Sequence, residues 1–340
     1  MGTATPPDRF TQDEVLTWAG ESNPKIQRLF RNSHIRSRHL FLPPHVNGAA
    51  PDESPQQLID RHRRGALDIG GEAIRAALHH AGLTTEALGF LVCTTSTGFL
   101  CPSLTAHLIR HLELCDRLQR IDIVGMGCNA AVNGLQAAAA LARSNPGVPG
   151  LLVCVEICSA AYVMNDTMPT AVVNSLFGDG AAAVVVRADH TDTWEAGPAV
   201  VDFEPFILTD AIAAMRYDLD GAKLSFYLGR EIPFVIGRHA HVPVDRLLSR
   251  HGLSRSAIRH WVIHSGGKKV IDAIVGGLGL ADHDVRHTRS VLERFGNVSS
   301  GSVLFSLEAL RAEGIAREGD LGVLMAMGPG TSIETALLRW

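Results

Sequence analysis

Several short stretches of this chain are apolar at nearly every position, not at every second one: residues 88–94, 121–126, 151–157 and 181–186 early on, then 261–264 and 322–326. A strand with one wet face alternates, so runs of this kind have to be covered on both sides. Helical periodicity fills the intervals, at 11–19, 55–81, 104–114 and 130–143, and again at 242–249, 269–276, 283–295 and 301–313, with a further short helix starting at Ala257. Buried strands alternating with helices predict an α/β protein whose sheet is covered by helices. The region 226–237 leads into the second series, and residues 187–197 are polar enough to read as a surface connection. The expected division is therefore 1–196 and 197–340. Both parts repeat a rhythm of strand, reactive loop and apolar helix, which raises an internal duplication without a residue-level repeat to prove it.

Composition narrows the function. With 340 residues the chain can bury a large core, and a net charge of −4 gives no sign of a nucleic-acid partner. The N-terminal stretch lacks an apolar signal core, and no apolar run reaches membrane length, so the expectation is a cytoplasmic protein with no membrane partner. Six cysteines contain no Cys-x-x-Cys pair and read as reduced thiols. No His/Cys/Asp group has metal-ligand spacing, no glycine-rich nucleotide loop sits in a proper setting, and no Gly-x-Ser-x-Gly elbow is present.

Chemistry concentrates where Asp122-Ile-Val-Gly-Met-Gly-Cys-Asn-Ala closes a strand and opens an alanine-rich helix. Cys128 there is either a buried structural thiol or a nucleophile whose thiolate is favoured by the helix's positive end. His264, in Val262-Ile-His-Ser-Gly-Gly-Lys-Lys, stands at a strand end in the second part, in a loop position of the same type. Asn297, in Phe295-Gly-Asn-Val-Ser-Ser-Gly, is either a helix cap or a carboxamide that donates to an enolate or thioester oxygen. Residues 21–40 carry Lys25, Arg28, Arg31, Arg36 and Arg38 among apolar positions, as a solvated helix face or a phosphate patch.

The ordered set Thr94-Thr-Ser-Thr-Gly-Phe-Leu-Cys-Pro, Gly127-Cys-Asn-Ala, Val155-Glu-Ile-Cys, Ser175-Leu-Phe-Gly-Asp-Gly-Ala-Ala, Ile263-His-Ser-Gly-Gly, Gly296-Asn-Val-Ser-Ser and Met327-Gly-Pro-Gly resembles the type III polyketide synthases, relatives of chalcone synthase in the thiolase superfamily. The resemblance runs from about residue 20 to the C-terminus. It implies a thiolase-like fold of duplicated halves in five layers, α/β/α/β/α, and a homodimer. It also implies a Cys128, His264 and Asn297 triad that carries the acyl chain on Cys128 and stabilises the enolate formed when malonyl-CoA loses CO2. Malonyl-CoA is then the substrate, with no prosthetic group and no metal.

The same resemblance makes Phe177 and Phe226 gatekeepers between a CoA tunnel and an acyl cavity, with simple core packing as the other reading of each ring. Glu156, Cys158 and Ala161 fall where relatives shape that cavity. Cys101 takes the place of a methionine that reaches into the partner's cavity. Lys25 and Arg28 match CoA-phosphate contacts. The third basic position is Asn32 here, with Arg31 or Arg36 as substitutes, and Ser265 stands where many relatives have proline.

Ser96-Thr-Gly-Phe-Leu, Thr170-Ala-Val-Val-Asn-Ser-Leu-Phe-Gly-Asp-Gly and His260-Trp-Val-Ile-His-Ser-Gly-Gly-Lys-Lys-Val are similar to one actinobacterial branch of the family, which serves glycopeptide antibiotic assembly. That implies four malonyl-CoA units, closure of the ring from carbon 8 to carbon 3, and accessory enoyl-CoA hydratase/isomerase-like proteins as helpers. A ketoacyl synthase fed by a carrier protein and a non-catalytic thiolase-like partner protein are the competing readings.

Overall fold

The computed structural model describes residues 1–161, 167–189, 197–220 and 223–340. Two sheets form its frame. In the first, five strands run in the order Gly2–Ala4, Gly180–Val186, Gly150–Glu156, Phe90–Thr95, Gln119–Val124. The second has four, in the order His260–Ile263, Leu321–Gly328, Ser332–Arg339, Ala199–Ile207.

The two orders superimpose. Phe90–Thr95 runs parallel to Gly150–Glu156, as His260–Ile263 does to Leu321–Gly328, and two antiparallel neighbours follow in each sheet. Among the described residues, Gln119–Val124 has no counterpart in the second sheet. The duplicated architecture expected from the sequence is therefore present, with one strand fewer in the second half.

Five layers follow from what each face buries. Pro55–Ala81 and Leu104–Leu112 cover the outer face of the first sheet through Ala66, Ile69, Ala73, Ile74, Ala77 and Leu108. Ile232–His239, His241–Arg250 and Lys268–Leu278 cover the outer face of the second. Between the sheets lie Ala130–Ser144 and Ser302–Glu313, in a core with Val92, Leu152, Val262 and Leu324. A helix pressed from both sides cannot carry long side chains everywhere. Gly134 shows the limit, because a Cβ there would stand 2.6 Å from Leu152 Cδ1 and 2.9 Å from Thr94 Cγ2. That is the physical reason for the alanine-rich sequence.

The long outer helix is fixed at both ends by local chemistry. Ser54 and Gln57 form a capping box, Pro55 takes the first turn, and Gly82 ends the helix in the left-handed conformation at φ +63°.

Some expectations shift. The short helix expected to start at Ala257 is a single 3-10 turn, Arg255–Ala257, that ends there. The antiparallel ribbon of Met215–Asp220 and Lys223–Leu228, the helix Met168–Leu176 and the last strand have no counterpart in the sequence reading. In the last strand Glu334 and Thr335 interrupt the apolar run, although the strand is central and buried. Of the polar connection 187–197, residues 190–196 lie outside the described residues, as does the edge of the proposed division. No helix among the described residues is long and apolar enough to cross a membrane.

The halves are joined by backbone. Asn297 N–H donates to the Leu176 carbonyl at 2.8 Å, and Gly178 N–H donates to the Asn297 carbonyl at 2.9 Å. A Cβ on Gly178 would sit 2.2 Å from the Phe295 carbonyl oxygen, which is backbone and cannot swing aside. Gly178→Ala is expected to lower stability by at least about 1–3 kcal/mol, the usual range for overpacking. Gly276→Ala, in the open on its helix, is the neutral or mildly stabilising control. Urea midpoints of the two variants compare them directly.

Candidate active site

Cys128 sits in the 3-10 turn Gly127–Asn129, between the end of Gln119–Val124 and the start of Ala130–Ser144. The turn needs Gly127 at φ +76°, with Pro329 packed where its side chain would be. Its amide donates to Ser96 Oγ at 2.7 Å, which anchors the turn to the loop after Phe90–Thr95.

The thiol faces the second half. Cys128 Sγ lies 3.9 Å from both Oδ1 and Nδ2 of Asn297 and 3.7 Å from Ser299 Oγ. Asn297 is held by its own turn: its Oδ1 accepts from Ser299 N–H at 2.9 Å and from Ser302 Oγ at 3.2 Å. With the oxygen so engaged, Nδ2 is the group left to donate towards the sulfur. The two readings of Asn297, as a turn-capping residue and as a donor beside the thiol, are thus both visible in one side chain.

His264 ends the strand His260–Ile263, its N–H bonded to the Met325 carbonyl at 2.9 Å. Ser265 Oγ donates to the Gly296 carbonyl at 3.4 Å and so ties the histidine loop to the Asn297 turn. The imidazole is buried and its Nδ1 has no hydrogen-bond partner. A Cβ on Gly266 would stand 3.2 Å from the ring, which explains a glycine at that place. Strand order corrects one expectation. His264 corresponds to the Thr95–Ser96 loop of the first half, whereas the turn Ser299–Gly301 before Ser302–Glu313 is the counterpart of the Cys128 turn.

Electrostatics also depart from the expected thiolate. Burial pushes the Cys128 thiol up to about 12, with the bonds to Ser299 and Asn297 pulling the other way and Glu156 adding to the rise. Burial holds the His264 imidazole down to about 3. Burial thus disfavours charge on the thiol and on the imidazole alike, because desolvation outweighs what a single helix turn offers an anion.

A cavity of about 40 Å³ opens at the sulfur. Cys158, Ala161, Phe177 and Phe226 line it, together with Ser96, Thr97, Tyr217 and Ser299. The rings of Phe177 and Phe226 meet edge to face at 5.8 Å, and Tyr217 tilts against Phe226 at 5.2 Å. Tyr217 OH donates to the Ser96 carbonyl at 2.8 Å. Tyr217 and Ser299 are the functional candidates that residue-level reading passed over, although Ser299 lies inside a motif quoted for the resemblance.

Glu156 does not line the cavity. It stands behind the wall, fully buried, accepting from Ser96 N–H at 2.9 Å, Thr97 Oγ1 at 3.0 Å, Ser299 Oγ at 3.3 Å and Ser300 Oγ at 2.5 Å. Burial raises its carboxyl above the usual range against those donors. Cys101 is exposed and is not part of the cavity of its own chain.

Lys25 and Arg28 are exposed on Pro24–Arg31, and no ion pair among the described residues engages either. The proposed substitutes are taken: Arg31 pairs with Asp13 at 2.9 Å and Arg36 with Glu293 at 3.5 Å. Arg38 is no part of a surface patch. It is buried and donates to the carbonyls of Asn174 and Phe177 at 2.6 and 2.7 Å and to Gln12 Oε1 at 2.8 Å. No group of three or more potential metal ligands occurs among the described residues.

Models for the N-terminal and C-terminal domains of chalcone and stilbene synthases match residues 2–190 and 204–340. The chain is 51% identical over 343 residues to the 3,5-dihydroxyphenylacetyl-CoA synthase of Amycolatopsis balhimycina, covering 100% of this chain and 92% of the relative. It is 51% identical over 346 residues to the enzyme of the same name from Streptomyces toyocaensis, covering 100% and 89%. Against the 1,3,6,8-tetrahydroxynaphthalene synthase of Streptomyces peucetius subsp. caesius the identity is 32%, covering 99% and 91%. The crystal structure of 1,3,6,8-tetrahydroxynaphthalene synthase from Streptomyces coelicolor A3(2), a bacterial type III polyketide synthase, matches with a TM-score of 0.91 at 27% identity, covering 100% of this chain and 97% of that one.

The pKa directions fix two pH responses. His264 stays neutral in the fold while the unfolded chain protonates near 6.5, so its contribution to stability is complete above pH 6.5 and is lost as pH falls towards 3. An acid titration of the urea midpoint should therefore decline below pH 6.5, and His264→Gln should flatten that decline. Cys128 runs the opposite way: iodoacetamide labelling should keep rising with pH through 10 without levelling near 7, and Ser299→Ala should slow it by removing a bond that favours the thiolate.

Proposed function

Because the chain belongs to the chalcone and stilbene synthases, we propose that it joins four malonyl-CoA units on Cys128 and closes the product to 3,5-dihydroxyphenylacetyl-CoA. The observation that carries the mechanism is the meeting of Cys128 Sγ with Asn297 and Ser299 across the two halves, in a buried cavity without a facing carboxylate. Decarboxylation of malonyl-CoA builds negative charge on a thioester oxygen. A neutral carboxamide and a neutral imidazole stabilise that charge, whereas an exposed carboxylate would oppose it. Glu156 fits this scheme because its carboxyl lies outside the cavity lining and is met by main-chain and hydroxyl donors.

Loading exchanges one thioester for another: Cys128 sulfur bonds to the acyl carbon, the CoA sulfur leaves, and the thiol proton goes to the departing CoA. Burial disfavours charge on Cys128 and on His264 before substrate enters. Each extension releases CO2 from malonyl-CoA, and the resulting enolate carbon attacks the acyl–Cys128 carbonyl and frees the sulfur. After three extensions the eight-carbon chain closes by attack of carbon 8 on the carbon 3 ketone, and loss of water and enolisation give the aromatic ring. The balance is four CO2, three CoA and one water released.

Phe177 and Phe226 act as gatekeepers, and Cys158 and Ala161 as cavity walls, supported by their places around the sulfur. Lys25 and Arg28 serve the CoA phosphates, supported by their exposed, unpaired cations. A division at 196/197 agrees with family matches that end at 190 and resume at 204. A homodimer with Cys101 directed to the partner's cavity is supported by the exposure of Cys101 and of Phe99, 53% accessible, in the same loop.

Purified protein given uniformly labelled malonyl-CoA alone should yield fully labelled 3,5-dihydroxyphenylacetate after hydrolysis, without a carrier protein. Cys128→Ala should form neither product nor acyl adduct. His264→Ala and Asn297→Ala should each slow CO2 release about 10²–10³-fold, the usual effect of a lost oxyanion donor. Dependence on a carrier protein would favour the ketoacyl synthase reading, and CO2 release unchanged in both variants would place the donors elsewhere.

A further inference from the structure

His62 lies on the Pro55–Ala81 helix, outside every motif quoted for the family. It is 1% exposed, with Nε2 3.2 Å from Thr95 Oγ1 and Nδ1 without any partner. Its ring occupies the space that a side chain at position 98 would need, since a Cβ on Gly98 would come within 2.3 Å of Nδ1 and 2.4 Å of Cε1. Between Thr95 and Gly98 stand Ser96 and Thr97, both in the cavity wall. That short loop is the junction of the site. Ser96 binds the Gly127 amide, the Tyr217 hydroxyl and Glu156, while Thr97 binds Glu156 and, at 2.9 Å, the Ile157 amide.

A core position that only needed filling would take an aliphatic or aromatic hydrocarbon. A histidine there leaves one nitrogen unsatisfied, which costs stability that a hydrocarbon would not. It is neutral as well, since burial holds it down to about 4. What the imidazole offers and a hydrocarbon does not is the bond to Thr95, the residue from which the wall starts.

We propose that His62 is a positioning residue: through Thr95 and Gly98 it fixes the Ser96–Thr97 wall, and thereby holds the finished chain for carbon–carbon ring closure. This rests on the polyketide synthase reading. The competing fate is lactonisation, in which the enol oxygen on carbon 5 attacks carbon 1, the carbon–sulfur bond breaks, and the enol proton leaves with the thiol. Both fates start from the same chain, so a wall displaced by a fraction of an ångström changes their ratio without touching decarboxylation.

His62→Leu and Thr95→Val, singly and together, test this with labelled malonyl-CoA. The measured quantities are the ratio of ring-closed to pyrone product, CO2 release, KM for malonyl-CoA and the thermal midpoint. Each single variant should lower the ratio about two- to ten-fold, the worth of one neutral hydrogen bond. The double variant should be no worse than the worse single one, and CO2 release and KM should stay at wild-type values. His62→Gln, which returns a side-chain hydrogen-bonding group towards Thr95, should recover most of the ratio. An unchanged ratio in both single variants overturns the proposal. So does a ratio that falls only in step with CO2 release and thermal midpoint, as a merely structural role would give. Should His62→Leu fail to fold, Thr95→Val decides alone. A wild-type protein that makes no dihydroxyphenylacetyl thioester refutes the product assignment. The His62 inference is then judged on the ring-closed to lactonised ratio of the products it does make.

Discussion

The pair of backbone hydrogen bonds linking Leu176–Gly178 to Asn297 governs the reacting end of this molecule. Through it one half sets where the other half's carboxamide stands, to within the stiffness of main chain. Glycines at 178 and 296 permit the approach, since a Cβ on either would strike a carbonyl oxygen, at 2.2 Å and 2.6 Å. Arg38 then clamps the same segment from the N-terminal side by donating to the Asn174 and Phe177 carbonyls. Phe177 and the thiol's carboxamide partner are therefore parts of a single rigid junction.

Burial sets the chemistry at that junction. The same exclusion of water that strengthens donors to a developing enolate also disfavours any resting charge, which raises the Cys128 thiol and depresses the His264 imidazole. Glu156 follows the same rule, since burial raises its carboxyl, while main-chain and hydroxyl donors from both halves converge on it and offset part of that cost. The carboxylate acts as an internal cross-link between residues 96–97 and 299–300, away from the reacting atoms.

Much of this was legible in the sequence, for identifiable reasons. Strands buried on both faces leave continuous apolar runs, and a tightly packed helix leaves alanines, so an α/β fold with helix-covered strands and most element positions could be read from the residues. The five-layered arrangement of two halves came from the family resemblance. Cys128 and His264 stood out because each ends a strand beside glycines. The ribbon carrying Tyr217 and Phe226 did not, since a two-stranded, half-exposed element has no strong periodic signature. Arg38 looked like one more member of a basic stretch. Its burial depends on carbonyls from residues 174 and 177, far away in the chain. The convergence on Glu156 is likewise invisible one residue at a time.

One asymmetry between the sheets has a geometrical consequence. The first half has Gln119–Val124 leading into the Cys128 turn, and the second half has no such strand before its equivalent turn at Ser299–Gly301. The two turns occupy matching stations of a duplicated frame and face each other with thiol against carboxamide and hydroxyl. A pseudo-twofold axis passing between them would place like against like. Dropping a strand on one side frees the incoming segment 295–298 to take a different course, and so the site is heterologous at the one place where the scaffold is most nearly symmetric. The thiol on one side and the carboxamide and hydroxyl on the other can change separately, because a change in one turn has no image in the other.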